Sequence, residues 1–382
     1  MVRIASFNVE NLFARPKAFN TTDWSVGQPA LDAFREVNVL MRKPVYSAAD
    51  KGRMRDLLVD LDIYARNSQG AIRRKDARSP KWAWLRKNRG SFDREPQDTS
   101  QDVVIEATGR GDWIGWVELA TEPTDETGTR MTARVIQDVG ADIIGIVEAE
   151  DRPAMVRFNS ELLAGMYGHV MLVDGNDDRG IDVAIMCRDT FTIESIRSNV
   201  DTADSQGVVF SRDCPQYEIR TPGGVTVHVL VNHFKSQSGG GGAKRKRQAD
   251  EVRRIVDRLT LAGQHVIVLG DLNEGPPAAG GPAPNLASLF QVPGPLVEVY
   301  VLPGFDIGNR PGTFDSCGLS NRLDYILISN SLVPTFTGGG VFRKGVWGSR
   351  TTRPTAWETY PEMTRSAEQA SDHSAVFVDL AI

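Results

Sequence analysis

Several polar residues of the chain are set against the ends of short apolar runs, and their types are those of a catalytic centre. Asn8 and Glu10 follow RIASF (3–7), Glu148 follows DIIGIV (142–147), and Asn232 and His233 follow VTVHVLV (225–231). Asp271 and Asn273 follow HVIVL (265–269), Asp324 opens DYILIS (324–329), and Asp372 and His373 precede SAVFVDL (374–380). A lone acid at a strand end is ordinarily a turn residue or a helix cap, and a lone Asp-His pair is more often structural than catalytic. Recurrence of the set at so many strand ends points instead to one shared site. The first four groups stand at C-terminal ends and the last two at N-terminal ends. Antiparallel neighbours in a mixed sheet bring both kinds of end to one edge, where α/β sites lie.

On such a rim Glu10, Glu148, Asp271, Asp324 and Asp372 cannot crowd together ionised without a cation. Hard oxygen ligands suit Mg²⁺ or Mn²⁺ and do not suit structural zinc. Asn8, Asn273, His233 and His373 then supply hydrogen bonds to an anionic group that the cation also touches. The chemistry described is metal-assisted attack of water on a phosphate ester.

The elements that must position these residues are visible in the apolar pattern. The runs are strand length and rich in Val, Ile or Phe; DVAIMC (182–187) is a further one. Several are apolar on both faces, as in strands covered on both sides. Val135, Ile136 and Val139 recur at helical spacing before Gly140, and Ala249, Val252, Ile255, Val256 and Leu259 form a second stripe before Gly263. Strands alternating with helices predict an α/β fold.

Residues 14–130 interrupt this pattern over far more than an ordinary connection, so they are expected to be an insertion with its own structure, the core being 1–13 and 131–382. Within the insertion a helix is expected near 47–67, with a Ser47/Asp50 capping box and a face of Met54, Leu57, Leu58, Leu61 and Tyr64. DVVIEA (102–107) and DWIGWVEL (112–119) are expected to form a hairpin, and a basic stretch, 73–94, carries Trp82 and Trp84.

Composition narrows the class. Hydrophobic residues are 41% and charged residues 24% of 382, ordinary soluble usage, which argues against global disorder, collagen and coiled coil. No run reaches the roughly 18 apolar residues of a membrane span. A net charge of -5 makes any nucleic-acid surface a local patch. Cys187, Cys214 and Cys317 include no C-x-x-C, so neither a disulfide framework nor a cysteine-rich zinc site is expected. The GGGG at 239–242 lacks the G-x-x-x-x-G-K-[ST] pattern of a phosphate-cradling loop and reads as a flexible connection. MVRIASFN enters a strand directly with no visible signal peptide, so a cytoplasmic location is expected.

These segments resemble the endonuclease/exonuclease/phosphatase superfamily of deoxyribonuclease-like, metal-dependent phosphoesterases. SFNVENL (6–12), GADIIGIVEAE (140–150), RGIDVAIM (179–186), VNHFKS (231–236), VLGDLNEGP (268–276), NRLDYILIS (321–329) and SDHSAVFVDL (371–380) run in the family's order. The resemblance covers the expected core and not the insertion. It implies a four-layer α/β sandwich of two mixed β-sheets. It also implies Glu148 as principal metal ligand with Asn8 and Glu10 beside the metal, and Asp372 as a further metal or water contact. Asp271 is implied as the group that activates water, Asn273 as the residue that orients the phosphate, and His233 as a phosphate contact. Asp324 and His373 match the family's Asp-His pair, and either Asp271 or His373 is the formal general base.

The departures weigh on the branch. Val147 stands where Gln is usual, Glu150 adds an acid, and Val268, Leu269 and Glu274 lack the inositol-phosphatase pattern. NHFKS before a Gly-rich, basic loop is more similar to bacterial nuclease-type members. A Mg²⁺- or Mn²⁺-dependent phosphodiesterase acting on nucleic acid is therefore expected. The alternatives are a phosphoesterase for a lipid headgroup or small metabolite, and a non-catalytic partner-binding member. Lys244, Arg245, Lys246 and Arg247 are expected to bind substrate, because cations at the start of a helix oppose its dipole and local stability would not explain them.

Overall fold

The computed structural model describes residues 1–18, 24–75, 80–177, 179–237, 240–348 and 357–382. They form two compact units, 1–13 with 124–382, and 14–123.

The first unit holds β1 (Val2–Asn8), β2 (Ile143–Ala149), β3 (His169–Val173), β4 (Asp182–Cys187), β5 (Thr192–Arg197), β6 (Gln216–Arg220), β7 (Thr226–His233), β8 (His265–Asp271), β9 (Leu296–Glu298), β10 (Phe305–Asp306), β11 (Asp324–Ser329), β12 (Phe336–Phe342) and β13 (Ala375–Leu380). Its helices are α1 (Glu126–Val139), α2 (Arg152–Leu162) and α3 (Gly242–Leu261). One seven-stranded sheet runs β3-β4-β2-β1-β13-β12-β10, and a six-stranded sheet runs β5-β6-β7-β8-β11-β9. Both are mixed: β1 is parallel to β2 but antiparallel to β13, and β8 is parallel to β7 but antiparallel to β11.

Side-chain alternation builds the layers. Ile143 and Val147 of β2, Val229 and Val231 of β7, and Ile267 and Leu269 of β8 share one core between the sheets. Ile144 and Ile146 face the other way, onto Val135, Ile136, Met155 and Phe158 of α1 and α2. Leu230, Val266 and Val268 face Val252, Ile255 and Val256 of α3. The result is a four-layer α/β sandwich. The sheets approach so closely at β2 that a Cβ on Gly145 would lie 2.3 Å from Leu269 Cδ1. Helix α1 runs unbroken from Glu126, so the core boundary expected at 130/131 falls inside it; the contact boundary lies between Pro123 and Thr124.

The second unit is built on helices Trp24–Met41 and Ala48–Asp60, the latter with both halves of the Ser47/Asp50 capping box formed. The expected hairpin between 102–107 and 112–119 does not form. Trp113–Leu119 pairs instead with Ala83–Gly90, and Val104–Ile105 with Asp93–Arg94. A short 3₁₀ turn, Arg110–Asp112, separates the two segments, and the basic stretch supplies the strand whose alternation matches 113–119.

Much of that stretch is paired internally. Arg74 and Lys87 meet Asp93, Lys75 meets Asp62, and Arg73 meets Glu95. Trp82 is buried in the unit's core, whereas Trp84 is half-buried and Trp116 is 46% exposed. Arg78 lies outside the described residues, as does Gly239 of the glycine run; Gly242 already begins α3. Among the described residues no helix is long and apolar enough to cross a membrane.

Candidate active site

Register decides which residues meet. At the end of the six-stranded sheet His233 pairs with Asp271 and Asp271 with Asp324, so three side chains from β7, β8 and β11 stand in one row. Only glycine can precede Asp271 here: a Cβ on Gly270, at φ +132°, would lie 1.9 Å from the Asn232 carbonyl oxygen. In the other sheet, Asn8 ends β1 beside Val147 of β2. Glu10, Glu148 and Asn273 all adopt left-handed backbone, with φ of 50°, 65° and 54°. Such a conformation costs a non-glycine residue on the order of 1 kcal/mol or more and clusters at functional sites. At Glu148 it coincides with a bulge between Val147 and Ala149.

Asp271 is the hub. Its Oδ2 accepts from Asn273 Nδ2 at 3.0 Å and Asn8 Nδ2 at 3.3 Å, and its Oδ1 from the Asn273 backbone N–H at 2.8 Å. His233 Nε2 lies 3.6 Å from Asp271 Oδ2 and 3.6 Å from Glu148 Oε1. His373 Nε2 lies 3.9 Å from Asp271 Oδ2 and 3.9 Å from Asp372 Oδ1. Behind it, His373 Nδ1 donates to Asp324 Oδ2 at 2.8 Å, which also accepts from Thr313 Oγ1 at 2.6 Å. The Glu10 backbone N–H donates to Asn8 Oδ1, and the Asp372 backbone N–H to Glu10 Oε2. The structure therefore brings together Asn8, Glu10, Glu148, His233, Asp271, Asn273, Asp324, Asp372 and His373.

Burial sets the electrostatics. It raises the Asp271 carboxyl above the usual carboxylate range, with Asp324 and Glu148 adding to the rise and His373 opposing it. Burial alone would lower His373, but Asp324 and Asp271 outweigh it and hold the imidazole well above the usual histidine range. His233 goes the other way, lowered by burial and then by Arg212 and Arg179. One imidazole thus favours its charged form and the other its neutral form.

Two sets of donors have the chemistry to hold a cation. Asp271, Asp324 and His373 place ligand atoms within 4.8 Å of one another. Its Asp324 Oδ2, however, already takes two donors, one of them the very His373 nitrogen that faces it. The second set, Glu148 with Asn8, Glu10 and Asp372, consists of oxygen donors, of which the Glu148 and Asp372 side chains are 23% and 33% exposed while Asn8 is buried. Oxygen donors without sulfur are the ligand set of a hard cation.

The basic quartet at the start of α3 is engaged internally. Lys244 Nζ donates to the Val208 carbonyl, and buried Arg245 pairs with Glu274 at 2.7 Å while holding the Lys235 and Ser236 carbonyls. Lys246 pairs with Asp250 and Arg247 with Asp204. These cations, for which the sequence offered no local explanation, thus each have a specific partner in the structure. Glu150 likewise has a structural task, accepting from the Leu12 and Phe13 N–H groups.

Sequence reading missed Thr313, whose loop has no periodic signal, and the cluster in which Asp177 pairs with Arg179 and the buried Arg212. Arg179 opens the motif RGIDVAIM, which carried no individual role.

The model of the endonuclease/exonuclease/phosphatase family matches residues 119–373. No curated protein sequence matches the chain. Among solved structures, an endonuclease/exonuclease/phosphatase family protein from Bacteroides thetaiotaomicron is similar at TM-score 0.49 and 20% identity, over 66% of this chain and 88% of that one. The mannosyl-6-phosphatase of Bacteroides thetaiotaomicron VPI-5482 is similar at TM-score 0.49 and 19% identity, over 67% and 92%. The human Nocturnin catalytic domain, solved with a bound sulfate anion, is similar at TM-score 0.47 and 15% identity, over 67% and 86%.

Proposed function

The chain belongs to the endonuclease/exonuclease/phosphatase family, and we propose that within it this protein is a divalent-metal-dependent phosphodiesterase that hydrolyses DNA or RNA. As a family member it is a hydrolase of phosphate esters. The observation that carries the reading is the row His233–Asp271–Asp324 in register at one sheet end, faced by Glu148, Asn8 and His373.

Glu148, Asn8, Glu10 and Asp372 would hold Mg²⁺ or Mn²⁺. Such a cation polarises a phosphoryl oxygen and lowers the pKa of bound water. Asp271, whose raised proton affinity suits a base near neutrality, takes the proton of the attacking water. Asn273 and Asn8 fix the orientation of its carboxylate. His373, kept cationic by Asp324, stabilises charge on the phosphate, while neutral His233 donates a hydrogen bond to a phosphate oxygen.

The choice of nucleic acid draws support from the second unit. On its two-stranded ribbon Arg86 stands opposite Trp116, and Trp84 opposite Glu118, with the Arg86 guanidinium 4.9 Å from the Trp84 ring. An exposed tryptophan, Trp116, opposite an arginine suits base stacking and phosphate contact.

The test is hydrolysis, with Mg²⁺ or Mn²⁺, of supercoiled plasmid, linear duplex, single-stranded DNA, RNA, an aryl phosphodiester, a sugar phosphate and a lipid headgroup ester. Cleavage of polynucleotides well above the other esters is expected. Turnover confined to the sugar phosphate or lipid would overturn the nucleic-acid reading.

A further inference from the structure

We propose that Arg245 is a positioning residue of this site, fixing the places of His233 and Asn273 through the loops that follow them. The proposal rests on the phosphate-ester reading above and adds to it the group that ties those two loops together.

Both residues stand where the sheet stops supporting the chain. Strands β7 and β8 run parallel and end together at His233 and Asp271. Asn273 lies beyond β8 in left-handed backbone, at φ 54°, a strained conformation that persists only where the surroundings enforce it. His233 Nδ1 is buried without a hydrogen-bond partner among the described residues, so that nitrogen does not orient the ring. The backbone beyond the strands must supply the remaining restraint.

One guanidinium joins the two loops. Arg245, in the first turn of α3, sets Nε at 2.7 Å from an oxygen of Glu274, the residue after Asn273. Its Nη1 donates to the Lys235 carbonyl at 3.0 Å and to the Ser236 carbonyl at 3.1 Å, just beyond His233. Gln248, further along the same helix, accepts from the Lys235 N–H at 2.9 Å, so α3 grips Lys235 by both backbone groups. Between the loops, Asn273 Nδ2 donates to the Phe234 carbonyl at 3.1 Å and the Phe234 N–H to the Asp271 carbonyl at 2.9 Å. Glu274 is anchored in turn: Asn285 donates to its carboxylate from backbone and side chain, and the Tyr325 hydroxyl donates to its carbonyl. Gly241 keeps the approach open, since a Cβ there would lie 2.5 Å from the Ser236 carbonyl oxygen and 3.1 Å from Arg245 Nη1.

Energetics favour placement over stability as the role of this network. Arg245, Gln248 and Glu274 are all buried. A buried ion pair gains little net stability, because desolvating both charges offsets their attraction, and an apolar pair of similar volume often does as well. What an apolar pair lacks is direction. A planar guanidinium offers several donors at fixed angles and here reaches one carboxylate and two carbonyls, which the point charge of a lysine does not reproduce. Displacing a catalytic group by about 1 Å can cost about a hundredfold in rate.

The test uses the full-length protein with Mg²⁺ and an aryl phosphodiester, assayed well below the Tm of each variant. Arg245→Met with Glu274→Gln removes both charges together, so that neither is left buried alone. In this double variant kcat is expected to fall about 10- to 100-fold. The Mg²⁺ concentration for half-maximal rate should stay at the wild-type value, because Asn8, Glu10, Glu148 and Asp372 stand on other segments. Arg245→Lys should retain part of the rate. Arg253→Met is the control: it loses the ion pair with Asp257 and a bond to the Ser288 carbonyl on the same helix, and should lower Tm with kcat unchanged. Combined with His233→Ala, the double change should cost less than it does in wild type, because one of the residues it positions is gone. An unchanged kcat in the folded double variant overturns the proposal; if that variant does not fold, an unchanged kcat in Arg245→Lys does. An equal loss of kcat in Arg253→Met, or full multiplication of the losses with His233→Ala, overturns it too. Failure of the nucleic-acid reading looks different: polynucleotides stay intact, another ester is cleaved, and the loss of kcat appears on that ester.

Discussion

Replacing Asp324 by Asn tests the His373 dyad with almost no change of shape. Asp324 is fully buried, and one oxygen, Oδ2, takes both the His373 Nδ1–H at 2.8 Å and the Thr313 hydroxyl at 2.6 Å. Thr313 Oγ1 itself accepts from the Leu323 and Asp324 N–H groups, so its proton is committed to the carboxylate. An amide oxygen in the Oδ2 position keeps both bonds but places an NH₂ where Oδ1 has no partner. An unsatisfied buried donor costs about 1–3 kcal/mol of stability, which lowers Tm without unfolding a domain of ordinary stability.

The larger effect is on rate. The variant loses the negative charge that holds His373 above the usual histidine range, and burial, left less opposed, drives the imidazole down. The charged form of His373 is then favoured less, with Asp271 and Asp372 still supporting it. A positioned acid-base group is worth about a hundredfold to ten-thousandfold, or about 3–5 kcal/mol in the barrier. The assay is kcat/KM for an aryl phosphodiester from pH 5 to 9 in saturating Mg²⁺, with circular dichroism to check the fold. A loss of that size is expected, together with a shift to lower pH of the limb that reports His373. Adding His373→Ala should cost little beyond the worse single variant. A loss under threefold, an unmoved profile, or multiplication of the two single losses would refute the dyad.

Glu148→Gln should fold but lose most activity, because an amide is a poorer ligand for a hard cation; full rate in limiting Mg²⁺, or wild-type activity in excess EDTA, would sink the metal role. Asp182 tests linkage: burial raises its folded carboxyl to about 7, so the native state holds a proton that the unfolded chain releases above its ordinary value near 4. Its contribution to stability falls as pH rises between those values. Asp182→Asn should therefore leave Tm near wild type at pH 4 and raise stability at pH 8 by on the order of 2 kcal/mol; equal shifts at both pH values would contradict this. On the ribbon, Trp116→Ala with Arg86→Ala should raise KM for single-stranded polynucleotide about tenfold and flatten its salt dependence, with the aryl diester unaffected. Identical KM values for the polynucleotide would remove the ribbon from substrate binding.

The core fold was legible because its strands are short runs of Val and Ile buried on both faces, and such runs carry their signal locally. RIASF, HVIVL and DYILIS lie wholly within strands, and DIIGIV does so from Ile143 onward. Strands with half-exposed or glycine-rich faces, Thr192–Arg197 and Phe336–Phe342, escaped because their pairing depends on neighbours distant in sequence. The hairpin expected in the insertion failed for the same reason: Trp113–Leu119 has the alternation of a strand, but its partner lies in the basic stretch.

The site divides along similar lines. Which residues stand at strand ends could be read in one dimension, since a polar residue that stops an apolar run is visible there. Tertiary structure alone decided that His233, Asp271 and Asp324 share a row, that Thr313 completes the dyad, and that Asp177 gathers two arginines. It also decided that Lys244, Arg245 and Arg247 have partners on other segments. The physical reason is that a charge carries no mark of its partner in sequence. Whether it is buried, paired or turned to a ligand is fixed by desolvation and distance, and both exist only once the chain has closed on itself.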